Sequence, residues 1–113
     1  MSLRCTFIDH GTGGAPDCLR LAEREVGAPA GRQVLIEVAY AGVNRPDVLQ
    51  RSGSYPPPPG ASPYVGLEVA GTVIAVGPDA TRWQVRDRVC ALTPGGGYAQ
   101  YCLAGQRHCL PAP

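Results

Sequence analysis

Residues 34–47 read Val-Leu-Ile-Glu-Val-Ala-Tyr-Ala-Gly-Val-Asn-Arg-Pro-Asp, and this stretch decides the fold. Val34, Ile36, Val38 and Tyr40 alternate with Leu35, Glu37 and Ala39, the period of two that sends successive side chains to opposite faces of a strand. Both faces are fairly apolar, and the strand is set at residues 33–41. The pattern then gives way to a short helix. Pro46 fits a first helical turn, where its missing N–H leaves nothing unsatisfied, and Asp47 suits the positive end of the helix dipole. Val48, Leu49, Gln50 and Arg51 continue the helix, and Gly53 can end it in a left-handed conformation.

After the helix, Pro56–Pro59 are expected to form a stiff polyproline run that cannot join a sheet interior and that presents Tyr55 on a rigid loop. Further strand-like runs fall at residues 4–8, 19–25, 67–76, 88–92, 98–103 and 108–110. Turn clusters separate them at residues 11–16, 27–31, 77–78 and 94–97. Fifteen glycines and twelve prolines in 113 residues favour short strands joined by turns over long helices. The fold class expected is mainly β, a barrel or sandwich.

The length suits one domain with one core. With 44% hydrophobic and 17% charged residues the chain is globular. A net charge of +1 supplies no field for drawing in nucleic acid or anionic lipid. All ten basic residues are arginine, which excludes a Schiff-base lysine and a phosphate-loop lysine. No stretch approaches the roughly 20 apolar residues of a membrane span, and no signal-peptide pattern opens the chain. Cys5, Cys18, Cys90, Cys102 and Cys109 are odd in number and scattered, so they read as reduced core thiols, with the cytoplasm as the expected compartment. Cys102, His108 and Cys109 lie near one another in a spacing that matches no standard zinc site, and packing is their expected role.

Four segments carry a resemblance: residues 34–47, residues 51–60 (Arg-Ser-Gly-Ser-Tyr-Pro-Pro-Pro-Pro-Gly), residues 66–77 (Gly-Leu-Glu-Val-Ala-Gly-Thr-Val-Ile-Ala-Val-Gly) and residues 94–101 (Pro-Gly-Gly-Gly-Tyr-Ala-Gln-Tyr). In this order they resemble the N-terminal, GroES-like domain of the medium-chain dehydrogenase/reductase superfamily. The likeness is to zeta-crystallin-type quinone oxidoreductases, especially the p53-inducible type. It implies that residues 1–113 form one GroES-like substrate domain, a partly open β-barrel with one or two short helices. Arg86 departs from the pattern, since relatives usually carry Gly in that turn, and the change is expected to bear on local stability.

The resemblance implies hydride chemistry without zinc. Zinc alcohol dehydrogenases use Cys where Asn44 stands and His where Leu67 stands. An amide is a poor zinc ligand and leucine is none. A quinone or enone can accept hydride from NADPH when the two are held face to face, so the protein contributes positioning and exclusion of water. The implied site residues are Asn44 beside the nicotinamide ribose, with a turn or helix-entry role as the alternative, and Tyr55 and Leu67 in the substrate cleft. In related enoyl-thioester reductases a tyrosine in a matching setting is proposed to give a proton, which makes Tyr55 the catalytic candidate; covering the proline run is its plainer role. Asp47 is expected at the helix start, Glu68 in a structural ion pair, and Trp83 as a surface cover. Gly95–Gly97 precede a strand and not a helix, so they form a turn and not a phosphate loop.

No GxGxxG fingerprint occurs, so the pyrophosphate of NADPH is expected to be held by a Rossmann domain outside these residues. The full-length protein is expected to be a homodimer or homotetramer. The rival readings are an enoyl-thioester reductase domain and a non-enzymatic GroES-like oligomeric barrel.

Overall fold

The computed structural model describes residues 2–53 and 62–113, and Tyr55 with the proline run lies outside the described residues. The strand read first, β3 (Gln33–Ala41), sits inside a five-stranded antiparallel sheet. It pairs with β4 (Glu68–Val76) on one side and β6 (Tyr101–Gly105) on the other. β5 (Arg88–Leu92) and β7 (Cys109–Pro111) extend the sheet from β4. A separate hairpin joins β1 (Ser2–Asp9) to β2 (Arg20–Gly27), with a 3-10 turn at Pro16–Cys18 between them. A second 3-10 turn spans Gln106–His108.

The two apolar faces of β3 have separate tasks. Val34 and Ile36 face an interior made with Val69, Val73, Val89 and Cys102. Leu35, on the other face, packs with Cys5 and Val26 of the hairpin and with Tyr101 and Leu103. A strand covered on both sides loses the polar alternation of a half-solvated one. The hairpin is stitched on by Ile8 N–H to Tyr98 O at 2.8 Å and Gln100 N–H to Thr6 O at 3.0 Å. Val38 N–H reaches the Gln100 carbonyl at 2.8 Å. Residues 98–100 therefore bridge the hairpin and β3, and the strand expected from residue 98 starts at Tyr101.

Helix α1 spans Arg45–Ser52 and ends at Gly53, which has φ 86°. Its first turn holds Pro46 and Asp47 as anticipated. Its buried residues are polar, however: Asp47 and Gln50 are each 4% exposed. Gln50 Oε1 accepts from Gly66 N–H at 3.1 Å, which ties the helix to the segment leading into β4. Burial of Gln50 and of one Asp47 oxygen is tolerable because both are bonded.

Arg86 is the one described non-glycine residue with positive φ, at 85°. It stands in a turn closed by Asp87 N–H to Gln84 O at 3.1 Å, with its own N–H on Val73 O at 2.7 Å. Trp83 corrects the expectation of a surface cover. It is partly buried against the interior cluster, and its indole N–H donates to Gln106 O at 2.8 Å. Three cysteines, Cys5, Cys102 and Cys109, are buried, and all five are free. No helix among the described residues is long and apolar enough to cross a membrane.

Candidate functional site

The end of β3, the start of β4 and the end of β5 meet at one edge of the sheet, where Ala41 pairs with Val69 and Glu68 with Leu92. Chain leaving β3 runs through Gly42, Val43 and Asn44 into α1, so Asn44 stands at this edge as the residue that opens the helix. The Asn44 backbone N–H donates to Asp47 Oδ2 at 2.9 Å, a carboxylate capping the N-terminus from the N3 position. The Asn44 side chain reaches the other way, and its Nδ2 donates to Glu68 Oε1 at 2.9 Å. The structure thus brings together Asn44 and Glu68. The partner of Glu68 is an amide and not an arginine, which corrects the expected ion pair.

Asp47 has the helix-start role anticipated for it, and a second one that the sequence did not disclose. The Tyr98 hydroxyl donates to the same Oδ2 in a short hydrogen bond. Burial, then this bond, then the nearby carboxylate all raise the Tyr98 phenol above its ordinary range. Tyr98 therefore holds its proton and acts as a prop, not as an acid. The other oxygen, Asp47 Oδ1, is buried and has no hydrogen-bond partner among the described residues.

Leu67 is half-buried beside Glu68, and its carbonyl accepts from Thr93 N–H at 2.9 Å. Gly66, before it, lies at φ 106°, and a Cβ there would overlap the Tyr98 backbone nitrogen. This close approach fixes the Leu67–Glu68 segment against the loop that carries Tyr98. An open groove of about 520 Å³ borders the site, lined by Ile8, Leu21, Val38, Ala41, Val43 and Tyr98. Val43 and Tyr40 are 83% and 78% exposed. A second cavity of about 320 Å³, with Arg24, Cys102 and His108 in its wall, contains none of the expected site residues. Among the described residues no three His, Cys, Asp or Glu side chains converge as metal ligands would.

The alcohol dehydrogenase GroES-like domain family matches residues 30–113. This chain belongs to that family. The GroES-like domain is 40% identical to rat quinone oxidoreductase over 103 residues, covering 88% of this chain and 31% of the relative. It is 42% identical over 82 residues to a phenolphthiocerol/phthiocerol polyketide synthase subunit of Mycobacterium tuberculosis, covering 73% of this chain and 4% of that protein. A mycobacterial protein solved in complex with NADPH superposes with a TM-score of 0.84 at 34% identity, covering 96% of this chain and 34% of its own. The GroES-like chain therefore spans about a third of the quinone oxidoreductase it matches. Its fold is the partly open β-barrel of this family, and its relatives form an oxidoreductase family.

The sequence offered Asn44, Tyr55 and Leu67 as site residues and gave Asp47 and Glu68 structural roles; it gave no sign of the contacts made by Tyr98, Gln50 and Gly42. Asp47 three residues after Asn44 carries the spacing of a reciprocal cap. Tyr98 lies fifty-one residues from its partner and gives no local signal.

Proposed function

We propose that residues 1–113 form the substrate side of a zinc-free, NADPH-dependent oxidoreductase that reduces a quinone or another small electrophilic carbonyl. The observation that carries this reading is the placement of Asn44, with its backbone and amide both held, at a sheet edge flanked by exposed apolar residues. Such an edge suits the face of a flat, apolar acceptor, and the amide can both donate and accept hydrogen bonds with a ribose. When bound, NADPH supplies the hydride. The chain's own part is orientation and exclusion of water: Asn44 holds the cofactor's sugar, Leu67 gives an apolar wall, and the resemblance assigns Tyr55 to substrate contact. Asn44 and Leu67 stand where thiolate and imidazole would serve a zinc, and neither offers such a donor.

The pyrophosphate belongs, in this reading, to a nucleotide-binding domain outside these residues, and the whole protein works as a homodimer or homotetramer in the cytoplasm. The likeness to a polyketide synthase subunit supports one alternative, reduction of an enoyl thioester with Tyr55 as proton donor. Steady-state NADPH oxidation separates them in a protein that joins this chain to a nucleotide-binding domain of the same superfamily. A kcat/KM at least tenfold higher for a small quinone than for a 2-enoyl thioester is expected. The reverse preference would replace the quinone reading with the thioester one.

A further inference from the structure

We propose that Glu68 is a positioning residue that fixes the orientation of the Asn44 amide for the cofactor, and that Gly42 is glycine to leave room for it. The inference rests on the reading of Asn44 as a cofactor contact. The amide of asparagine presents an oxygen and a nitrogen of nearly equal size, and an unrestrained side chain can offer either to a ligand. A carboxylate only accepts, so Glu68 Oε1 at 2.9 Å from Nδ2 selects one orientation. The amide nitrogen faces β4 and the carbonyl oxygen faces the Asp47 backbone N–H of the helix, so one N–H and one oxygen lone pair are left for a bound group.

The second observation is the space at Gly42. Its backbone is outside the left-handed region, so no turn conformation calls for glycine there. A Cβ built on Gly42 would lie 2.6 Å from Glu68 Oε1 and 2.9 Å from its Cδ. Any side chain at residue 42 would push the carboxylate off Asn44. Gly42 N–H also donates to the Glu68 backbone carbonyl at 2.9 Å, which holds the two segments in register. Glu68 is exposed, so its bond to the amide competes with water while the site is open. Once a ligand covers the edge and excludes water, the same charge-assisted bond strengthens.

The test has two arms. In the ¹⁵N-labelled chain, the Asn44 side-chain amide is expected to resonate away from the position of a solvated asparagine. Glu68→Ala and Gly42→Ala should each return it there, and Glu68→Gln, which keeps an acceptor oxygen, should largely preserve it. An Asn44 signal unmoved in Glu68→Ala would overturn the proposal. In the protein joined to a nucleotide-binding domain, Glu68→Ala should raise the KM for NADPH by about tenfold with kcat changed by less than about twofold, the loss of one charge-assisted hydrogen bond. Glu68→Gln should recover most of it. Asn44→Ala should cost about as much, and the double variant no more than either alone. Effects that simply add would also overturn the proposal, because Glu68 would then act without Asn44. Asn44→Ala with an unchanged KM would instead remove the cofactor reading of Asn44 itself, and the role of Glu68 with it.

Discussion

Arg86 holds a backbone conformation that costs a side chain roughly 1–2 kcal/mol and glycine almost nothing. Arg86→Gly relieves that strain and gives back part of it as extra freedom in the unfolded chain. A net gain of about 1 kcal/mol is expected, with Tm higher by about 4 °C in thermal unfolding; an unchanged or lower Tm would mean the turn carries no strain. The resemblance marked this position as a turn, because relatives usually carry glycine there. Tyr55 belongs to the same scale. If it positions a quinone, Tyr55→Phe keeps most turnover and Tyr55→Ala loses much of it, since water can protonate a quinone's oxygens after reduction. If it delivers a proton to carbon, Tyr55→Phe loses roughly 10² to 10⁴-fold. Turnover numbers for the two variants of the joined protein decide between these roles.

Among the elements, β3 and β5 were legible to the residue and α1 nearly so, because alternation, proline and glycine are local signals. The start of β6 was not legible, since hydrogen bonds to the hairpin and to β3 decide it and nothing in residues 98–103 announces them. The polar inner face of α1 has no local signal for the same reason: Asp47 and Gln50 are bonded by Tyr98 and Gly66, both distant in sequence. β6 also carries Cys102, 2% exposed, whose thiol burial pushes up to about 11. The fold favours the neutral thiol, so this contribution is whole below about pH 9, the unfolded value, and is lost as pH rises through 11. Tyr98, also raised, adds to the decline from about pH 10 upward. Urea titrations should show stability falling by roughly 2–3 kcal/mol across pH 9–11 from Cys102, and Cys102→Ala should flatten most of that fall. A pH-independent midpoint over this range would show that the thiol is open to solvent.

At the level of the whole molecule, Leu21, Tyr40 and Val43 expose 72%, 78% and 83% of their surface, and two of them line the open groove. Exposed apolar residues gathered at one groove, as Leu21 and Val43 are, mark a contact face. The chain alone should bind an apolar dye and associate as its concentration rises; a dye-silent monomer in light scattering would show that this face needs no cover. Nor should the chain alone bind NADPH tightly. A calorimetric dissociation constant near 1 μM, about −8 kcal/mol, would put the pyrophosphate site within these 113 residues. The family and the barrel were readable from four spaced motifs, whereas the clamp on Asn44 needed coordinates, because Gly42, Glu68 and Asp47 meet only when the sheet edge forms.

The proposed function is reduction without a metal, with Asn44 and Leu67 standing where zinc ligands would. Quinone-dependent NADPH oxidation by the joined protein, after exhaustive dialysis against a strong chelator, decides whether a metal takes part. Full activity is expected with less than about one-tenth equivalent of zinc present, and no gain when zinc is returned, because Asn44 and Leu67 offer neither thiolate nor imidazole. Activity lost to the chelator and restored by one equivalent of zinc per chain would contradict it.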